Sequence, residues 1–434
     1  MITHPVLDQL GMTGVRLGLD RIRAFLDAID EPHRCAPVVH VAGTNGKGSV
    51  CAFVTAALVD AGYVVGTTIS PHLEEVNERI QIDGVPVDDA TLTDAIDAID
   101  RARWVWAREN GIVGVPLTYF EFLVATAFWV FARRRVQVMV VEVGMGGRLD
   151  ATNVVHPMVC AIPHIGLDHV AELGATTELI AIEKAGILKR GVPAVIGPLP
   201  TDARVTFERV TTALGCPLWK PGNHLRKEQR KTGWTFGTPA GTLQDVTLGL
   251  DGAHQGTNAL VALGALHQLR LQGFLIPDSA IRSGFARAYI GGRIEELVPG
   301  LWVDGAHNVD GAKTLAAWLA TRPRPRSRIL LFGAGEDRDP VQVLAPLLPH
   351  FDEVVTTTGG HPKARDPGEL ALALQDLDVV LSAGGPVADV LGEVYAEADE
   401  VWVTGSLYLV GAVKSAVRAG VLDGITPGSA ASPG

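Results

Sequence analysis

The run His40-Val-Ala-Gly-Thr-Asn-Gly-Lys-Gly-Ser49 gathers three glycines, a lysine and two hydroxyls behind an apolar segment at 37–41 and ahead of a helix-like stretch at 50–60. Strand, glycine turn and helix form a cradle for phosphate. Small residues let backbone N–H groups converge on anionic oxygens, and the helix start adds partial positive charge. Lys47 supplies a full charge, and the hydroxyls of Thr44 and Ser49 suit phosphate or Mg²⁺. The common pattern G-x-x-x-x-G-K-[ST] is not met, because Val41 stands at its first glycine and Gly48 separates Lys47 from Ser49. The run is a variant phosphate loop or a chance turn.

Further polar clusters follow apolar segments. Ser70-Pro71-His72 follows 63–69 and reads equally well as a plain turn. Glu142 interrupts the apolar run Val140-Val-Glu-Val, ahead of Gly144, Gly146 and Gly147. A buried carboxylate needs a cation, hydrogen bonds or a proton. It either pairs with Arg148 or another basic group, or binds Mg²⁺ beside phosphates, and the nearby loop favours the ion. Asp168-His169 follows 158–165, where His169 is a ligand or a hydrogen-bonded turn residue. Lys184, in the apolar helix end Ala181-Ile-Glu-Lys-Ala, either snorkels to solvent or is desolvated and converted to an anionic carbamate. Later come His254-Gln255-Gly-Thr-Asn258, Gly292-Arg293 and Asp304-Gly-Ala-His307-Asn308. Arg293 either reaches across a cleft to transferring phosphates or forms a surface pair with Glu295 or Glu296.

The elements that hold these groups alternate between apolar β-branched runs and helical patterns. That pattern predicts an α/β chain with a mostly parallel sheet, its ligands gathered at the carboxyl edge of the strands. Strands are expected at 37–41, 63–69, 137–143, 158–165 and 193–196, and a small antiparallel excursion within 218–246. A second α/β series has strands expected at 301–304, 328–332, 352–357, 378–381 and 400–404. We therefore expect one domain over 1–290, a second over 291–424 and a disordered tail at 425–434.

Composition narrows the chemistry. The chain has 434 residues, with 37 basic against 48 acidic and a formal charge of −11, which argues against a nucleic-acid coat. Four scattered cysteines without metal-ligand spacing fit a reduced, cytoplasmic protein. With no leader pattern and no spanning apolar run, the expectation is a soluble protein acting on small molecules, and a monomer.

In order, the strings Leu17-Gly-Leu, Ala42 to Ser49, Ser70-Pro-His-Leu, Asn77-Glu-Arg-Ile, Thr118-Tyr-Phe-Glu121, Glu142 to Asn153, Gly166-Leu-Asp-His169, Glu183-Lys-Ala-Gly-Ile, His254-Gln-x-x-Asn258, Gly292-Arg293, Asp304-Gly-Ala-His-Asn308 and Thr404-Gly-Ser-Leu-Tyr408 resemble the folylpolyglutamate synthase / dihydrofolate synthase family of the Mur-ligase group. The resemblance spans nearly the whole chain. It implies a phosphate-loop domain followed by a Rossmann-like one, and a ligase that uses Mg²⁺ and ATP to join L-glutamate to dihydropteroate or a reduced folate. It implies ATP contacts at Thr44, Asn45, Gly46, Lys47, Gly48, Ser49, Asn258, Arg293 and Asp304. The implied metal ligands are Ser70, Glu142 and His169, and Lys184 stands at a carbamylated position. Arg16, Leu17, Gly18, Thr118, Tyr119, Phe120, Glu121, Leu149, Asp150 and Ala151 match the pterin-side pocket. His307 and Ser406 match the glutamate side.

Two departures qualify the resemblance. Pro163-His164 replaces small polar residues, and Glu74-Glu75 places acid where a polyanionic folate tail would be less welcome. Gly147-Arg148-Leu-Asp150, by contrast, resembles members that also accept dihydropteroate, so a bifunctional enzyme is expected. The alternatives are a Mur-type UDP-muramoyl ligase, for whose sugar-binding domain residues 1–36 are short, and a non-catalytic nucleotide-binding regulator.

Overall fold

The computed structural model describes residues 4–11 and 16–427; most of the tail expected to be disordered, 428–434, lies outside them. Three sheets organise the chain. The first contains β1 (Val38–Val41), β2 (Val65–Thr68), β3 (Ile80–Ile82), β4 (Val85–Pro86), β5 (Val138–Glu142), β6 (Val159–Ile162), β7 (Ala194–Ile196) and β8 (Leu218–Trp219), in the order 4-3-2-5-1-6-7-8. It is parallel from β2 to β8, and only the β3–β4 edge runs antiparallel. A small antiparallel sheet follows: β9 (Arg226–Arg230), β10 (Gly233–Thr238) and β11 (Gly241–Val246). The third contains β12 (Glu295–Val298), β13 (Leu301–Val303), β14 (Arg328–Phe332), β15 (Glu353–Thr358), β16 (Val380–Pro386) and β17 (Glu400–Thr404), ordered 12-13-17-14-15-16 and parallel except for β12.

The first sheet is buried on both faces, and the period of two along its strands sorts the side chains. Val39 and Val41 pack with Val50, Phe53, Val54 and Leu58 of the helix Lys47–Asp60, backed by Ala262 and Leu266 of the helix Gln255–Leu271. Val38, Met139 and Val141 pack on the other face with Phe122, Phe128 and Phe131 of the helix Tyr119–Arg134. Each such fully buried side chain contributes roughly 1.5–3 kcal/mol, which fixes both helices against the strands they follow. The helix Asp278–Arg287 lies so close on Lys47–Asp60 that a Cβ at Gly284 would overlap the Ala57 backbone.

Some elements were not anticipated. The β3–β4 hairpin turns on Asp83-Gly84, both at positive φ, the dipeptide that suits a two-residue hairpin loop. The helix Pro340–Leu344 is short, because Pro346 offers no N–H to continue it. The helices Thr201–Leu214 and Val387–Glu397 complete crossovers, and Leu407–Arg418 follows the last strand.

Candidate active site

The carboxyl edges of the first and third sheets face each other, and the expected groups project from both. At the end of β1, Gly46 adopts φ +82 and is followed at once by the helix from Lys47. A Cβ on Gly46 would collide with the Asn258 side chain, so the loop and the start of Gln255–Leu271 touch there. Asn258 Nδ2 donates to Gln255 Oε1 at 2.9 Å. Thr44 is fastened to the loop after β6: its N–H donates to the His164 carbonyl at 2.8 Å, and its hydroxyl donates to Gly166 O and accepts from Gly166 N, both at 3.0 Å. The backbone around Pro163-His164 therefore supports the phosphate loop. Ser49 is buried in the first helical turn, where the leading N–H groups have no intrahelical acceptor.

Glu142 ends β5 and is buried. Burial raises its pKa, opposed by Lys47, the Ser70 N–H, Arg293 and Arg79. Ser70 N donates to Oε2 at 3.1 Å, and Lys47 Nζ lies 4.0 Å from Oε1. Arg148 is not its partner, since that guanidinium pairs with Glu183 at 2.9 Å. Arg293 is likewise free of the suggested surface pairs: Glu295 accepts from Lys414, Tyr289 and Gly292 N, and Glu296 from Gly300 N. Its Nη1 donates to the Gly292 carbonyl at 3.0 Å, and its positive field reaches both Glu142 and Asp304. Asp304 directly follows β13 and is buried, with burial raising its pKa and its oxygens accepting from Ile294 N and Ala306 N at 2.9 and 2.8 Å.

His169, at φ 48, starts the short helix Val170–Leu173. Its Nε2 lies 3.5 Å from Arg338 Nη2, and burial followed by the Arg338 charge lowers its pKa. Arg338, from the loop after β14, ion-pairs with Asp168. Our reading of the sequence missed it, although Asp337-Arg338-Asp339 is one more charged cluster just past a strand. Asp168 would be raised by burial, but the His307 imidazole beside it, His169 and Arg338 hold it well below the usual carboxylate range. His307 Nδ1 lies 2.9 Å from the Gly305 carbonyl, and its Nε2 is 3.6 Å from Asp168. Ser406 precedes the helix Leu407–Arg418, next to Gly405, whose N–H donates to Ala306 O.

Lys184 is 4 % exposed, so it does not snorkel. Burial, then the nearby Lys47 charge, lowers its pKa to about 7. A Cβ at Gly147 would press into the Glu183 carbonyl and the Lys184 Cα, so the glycine loop after β5 rests directly on this helix.

The residues expected on the pterin side gather in a second group of contacts. Thr118 and Glu121 form a reciprocal cap on Tyr119–Arg134, and Arg21 grips Glu121 at 2.8 and 3.0 Å while also donating to Arg16 O at 3.2 Å. Gly18, at φ +128, follows Leu17, which is exposed. The Phe120 ring packs on Gly144, and the Arg79 guanidinium sits 5.9 Å from the Tyr119 ring. Asp150, between Leu149 and Ala151, accepts from Met145 N, Thr152 N and the Thr152 hydroxyl, and so ties the glycine loop together. Behind it, His40 Nε2 lies 3.0 Å from Thr152 Oγ1. With the Thr152 proton given to Asp150, His40 is the donor, which assigns its tautomer.

The Glu74 carboxylate accepts from Arg418 at 2.9 Å and from Ser415 at 3.1 Å across the cleft, so its charge has a partner in the chain itself.

Comparison with known proteins agrees with this geometry. Residues 292–407 match the family described as Mur ligase, glutamate ligase domain. The dihydrofolate synthase/folylpolyglutamate synthase of Mycobacterium tuberculosis is 36 % identical, over 93 % of this chain and 90 % of that one. The structure of Escherichia coli FolC in complex with DHPP and ADP superposes with a TM-score of 0.85 at 31 % identity, covering 95 % of this chain and 96 % of that one. The bifunctional folylpolyglutamate synthase/dihydrofolate synthase of Yersinia pestis, complexed with AMPPNP and Mn ion, superposes with a TM-score of 0.83 at 31 % identity, covering 95 % and 96 %. The chain belongs to the dihydrofolate synthase/folylpolyglutamate synthase family.

Proposed function

We propose that the chain is an ATP-dependent ligase that joins the amino group of L-glutamate to the carboxylate of dihydropteroate and of reduced folates, releasing ADP and phosphate. The observation that carries this reading is the convergence of Lys47, Glu142 and Arg293 on one cleft, two from the first sheet and one from the approach to the third. A carboxylate resists attack by an amine because oxide is a poor leaving group. Transfer of the γ-phosphoryl group to a carboxylate oxygen makes an acyl phosphate. The glutamate amine then forms the amide bond at the carbonyl carbon, loses a proton, and phosphate departs with the original oxygen. Lys47 and Arg293 stabilise the charge spread over the phosphoryl oxygens, and the closed cleft aligns donor and acceptor.

A divalent ion fits the donor set. Glu142 is a buried carboxylate with its lysine held at 4.0 Å, and Ser70 adjoins it. Mg²⁺ takes one or two carboxylates and is completed by phosphate oxygens and water. Glu142, Ser70 and His169 would hold it, and when bound it supplies further neutralisation of phosphate charge. Lys184, if converted to a carbamate, adds an anion opposite Lys47.

We assign residues 1–290 to nucleotide and pterin recognition and 291–424 to the glutamate side, supported by the family match from residue 292. The chain acts alone, on small molecules, in the cytoplasm; none of its described helices is long and apolar enough to cross a membrane. Glutamate-dependent ADP release with dihydropteroate, tetrahydrofolate and a UDP-muramoyl substrate tests the reading. Release with the first two supports it. Release only with the third, or with none, overturns it in favour of a Mur-type ligase or a regulator.

A further inference from the structure

We propose that Asn308 is a positioning residue that locks the phosphate loop to the C-terminal sheet. Its amide makes all four of its hydrogen bonds. Nδ2 donates to Asn45 Oδ1 at 3.0 Å and to Asp168 Oδ2 at 3.2 Å, while Oδ1 accepts from Asn45 Nδ2 at 3.1 Å and from Gly311 N at 2.9 Å. Flipping the amide would set its oxygen against a carboxylate and its NH₂ against an N–H, so the partners fix its orientation. Asn308 is 4 % exposed, and a buried amide that satisfies every donor and acceptor specifies one geometry.

The geometry joins three parts of the site. Asn45 lies in the phosphate loop one residue before Gly46, which takes φ +82, and its side chain reaches the other sheet through the Asn308 amide. Asp168 carries the ion pair with Arg338 and directly precedes His169. Gly311 N belongs to the first turn of the helix Val309–Leu319, which Asn308 caps. The same turn places Asp310 3.7 Å from His164 Nε2, so the departure at Pro163-His164 also faces this contact. Lys47 and Arg293 approach the transferring phosphoryl group from opposite sides of the cleft. Their alignment is set by whatever fixes one sheet against the other, and a displacement near 1 Å costs on the order of 100-fold in rate.

The turnover arm of the test rests on the ligase reading. Asn308→Ser keeps an N-cap acceptor for Gly311 but is too short to pair with Asn45, so it separates capping from locking. Asn308→Ser and Asn45→Ala should each lower kcat by about tenfold or more. In Asn308→Ser the KM for ATP should move less than about threefold and the thermal midpoint little, since the phosphate cradle and the helix cap remain. The double variant should be no slower than the slower single, because both remove one link. Wild-type kcat in Asn308→Ser, multiplicative losses in the double variant, or a loss matched by a lower melting midpoint would overturn the proposal. Solution scattering of the full chain is independent of substrate identity: Asn308→Ser should show a larger radius of gyration than wild type, and an unchanged radius counts against the lock even if no ligase activity is found.

Discussion

Lys47 Nζ stands 4.0 Å from Glu142 Oε1 and gives its hydrogen bond to the Thr44 carbonyl, at 3.1 Å, instead. The two opposite charges are held near each other but outside hydrogen-bonding distance. An ion pair this buried gains little once desolvation is counted. Both groups therefore remain available to a ligand that brings phosphate and a dication.

Lys47→Ala removes the only full charge of the phosphate loop and should abolish ATP-dependent ligation while leaving the fold intact. Steady-state turnover and circular dichroism check both halves; near-normal turnover would sink the assignment.

Glu142→Gln separates function from stability. The carboxyl pKa is raised in the folded chain by burial, so the folded state binds more protons than the unfolded one just above the unfolded pKa. Stability from this group falls as pH rises through that window. The neutral amide escapes the penalty. We expect a thermal midpoint at pH 7.5 equal to or above wild type, with kcat lower by about 100-fold or more. A destabilised variant would show that the carboxylate is structural.

The phosphate loop, Glu142 and Lys184 were legible because each signal is local: glycines beside one lysine, a carboxylate inside an apolar strand, an amine inside an apolar helix end. The lock was not, because its partners lie 263 residues apart at Asn45–Asn308 and 170 apart at Asp168–Arg338. One sequence carries no mark of which loops meet across two sheets. The partner of Glu74 was hidden for the same reason, since Arg418 follows it by 344 positions. The hairpin at Asp83-Gly84 does carry its own turn signal, although the strands it joins are only three and two residues long.

Lys184 gives a prediction with a definite sign. Its pKa falls from 10.5 to about 7 on burial beside Lys47. Between those values the unfolded chain binds the extra proton, so stability rises with pH from about 7 to 10. Lys184→Met should melt higher than wild type at pH 6.5, and the gap should narrow steadily up to pH 9.5. Thermal denaturation at the two pH values decides it. In bicarbonate, where the neutral amine becomes an anion, the wild-type chain should gain 44 Da at this residue by native mass spectrometry, roughly the mass of added CO₂.

Glu74 should not govern product length. With its carboxylate taken up by Arg418 and Ser415, Glu74→Gln should leave the distribution of glutamate chain lengths unchanged, as read by mass spectrometry of products. The melting midpoint should fall slightly, because the exposed Arg418 end contributes only ~0–1 kcal/mol. A shift toward longer products would mean that the acid does face the folate tail.

Arg21 links two segments proposed to form the pterin side that the sequence places about a hundred residues apart. Its guanidinium grips the Glu121 carboxylate through two hydrogen bonds, and the same Nη2 reaches the Arg16 carbonyl. Glu121 in turn accepts from Thr118 N at 2.8 Å, closing the cap of the helix that carries Tyr119 and Phe120. Arg21→Ala leaves a buried carboxylate short of its cation and releases the Arg16–Gly18 segment. The expected cost is about 1–3 kcal/mol of stability and a KM for the pterin substrate raised by about tenfold, with the KM for ATP unchanged. Arg21→Lys should recover little, because an ammonium cannot span both carboxylate oxygens and the carbonyl. Steady-state kinetics with each substrate varied in turn checks this; an equal rise in both KM values would place the effect in the fold as a whole rather than in the pocket wall.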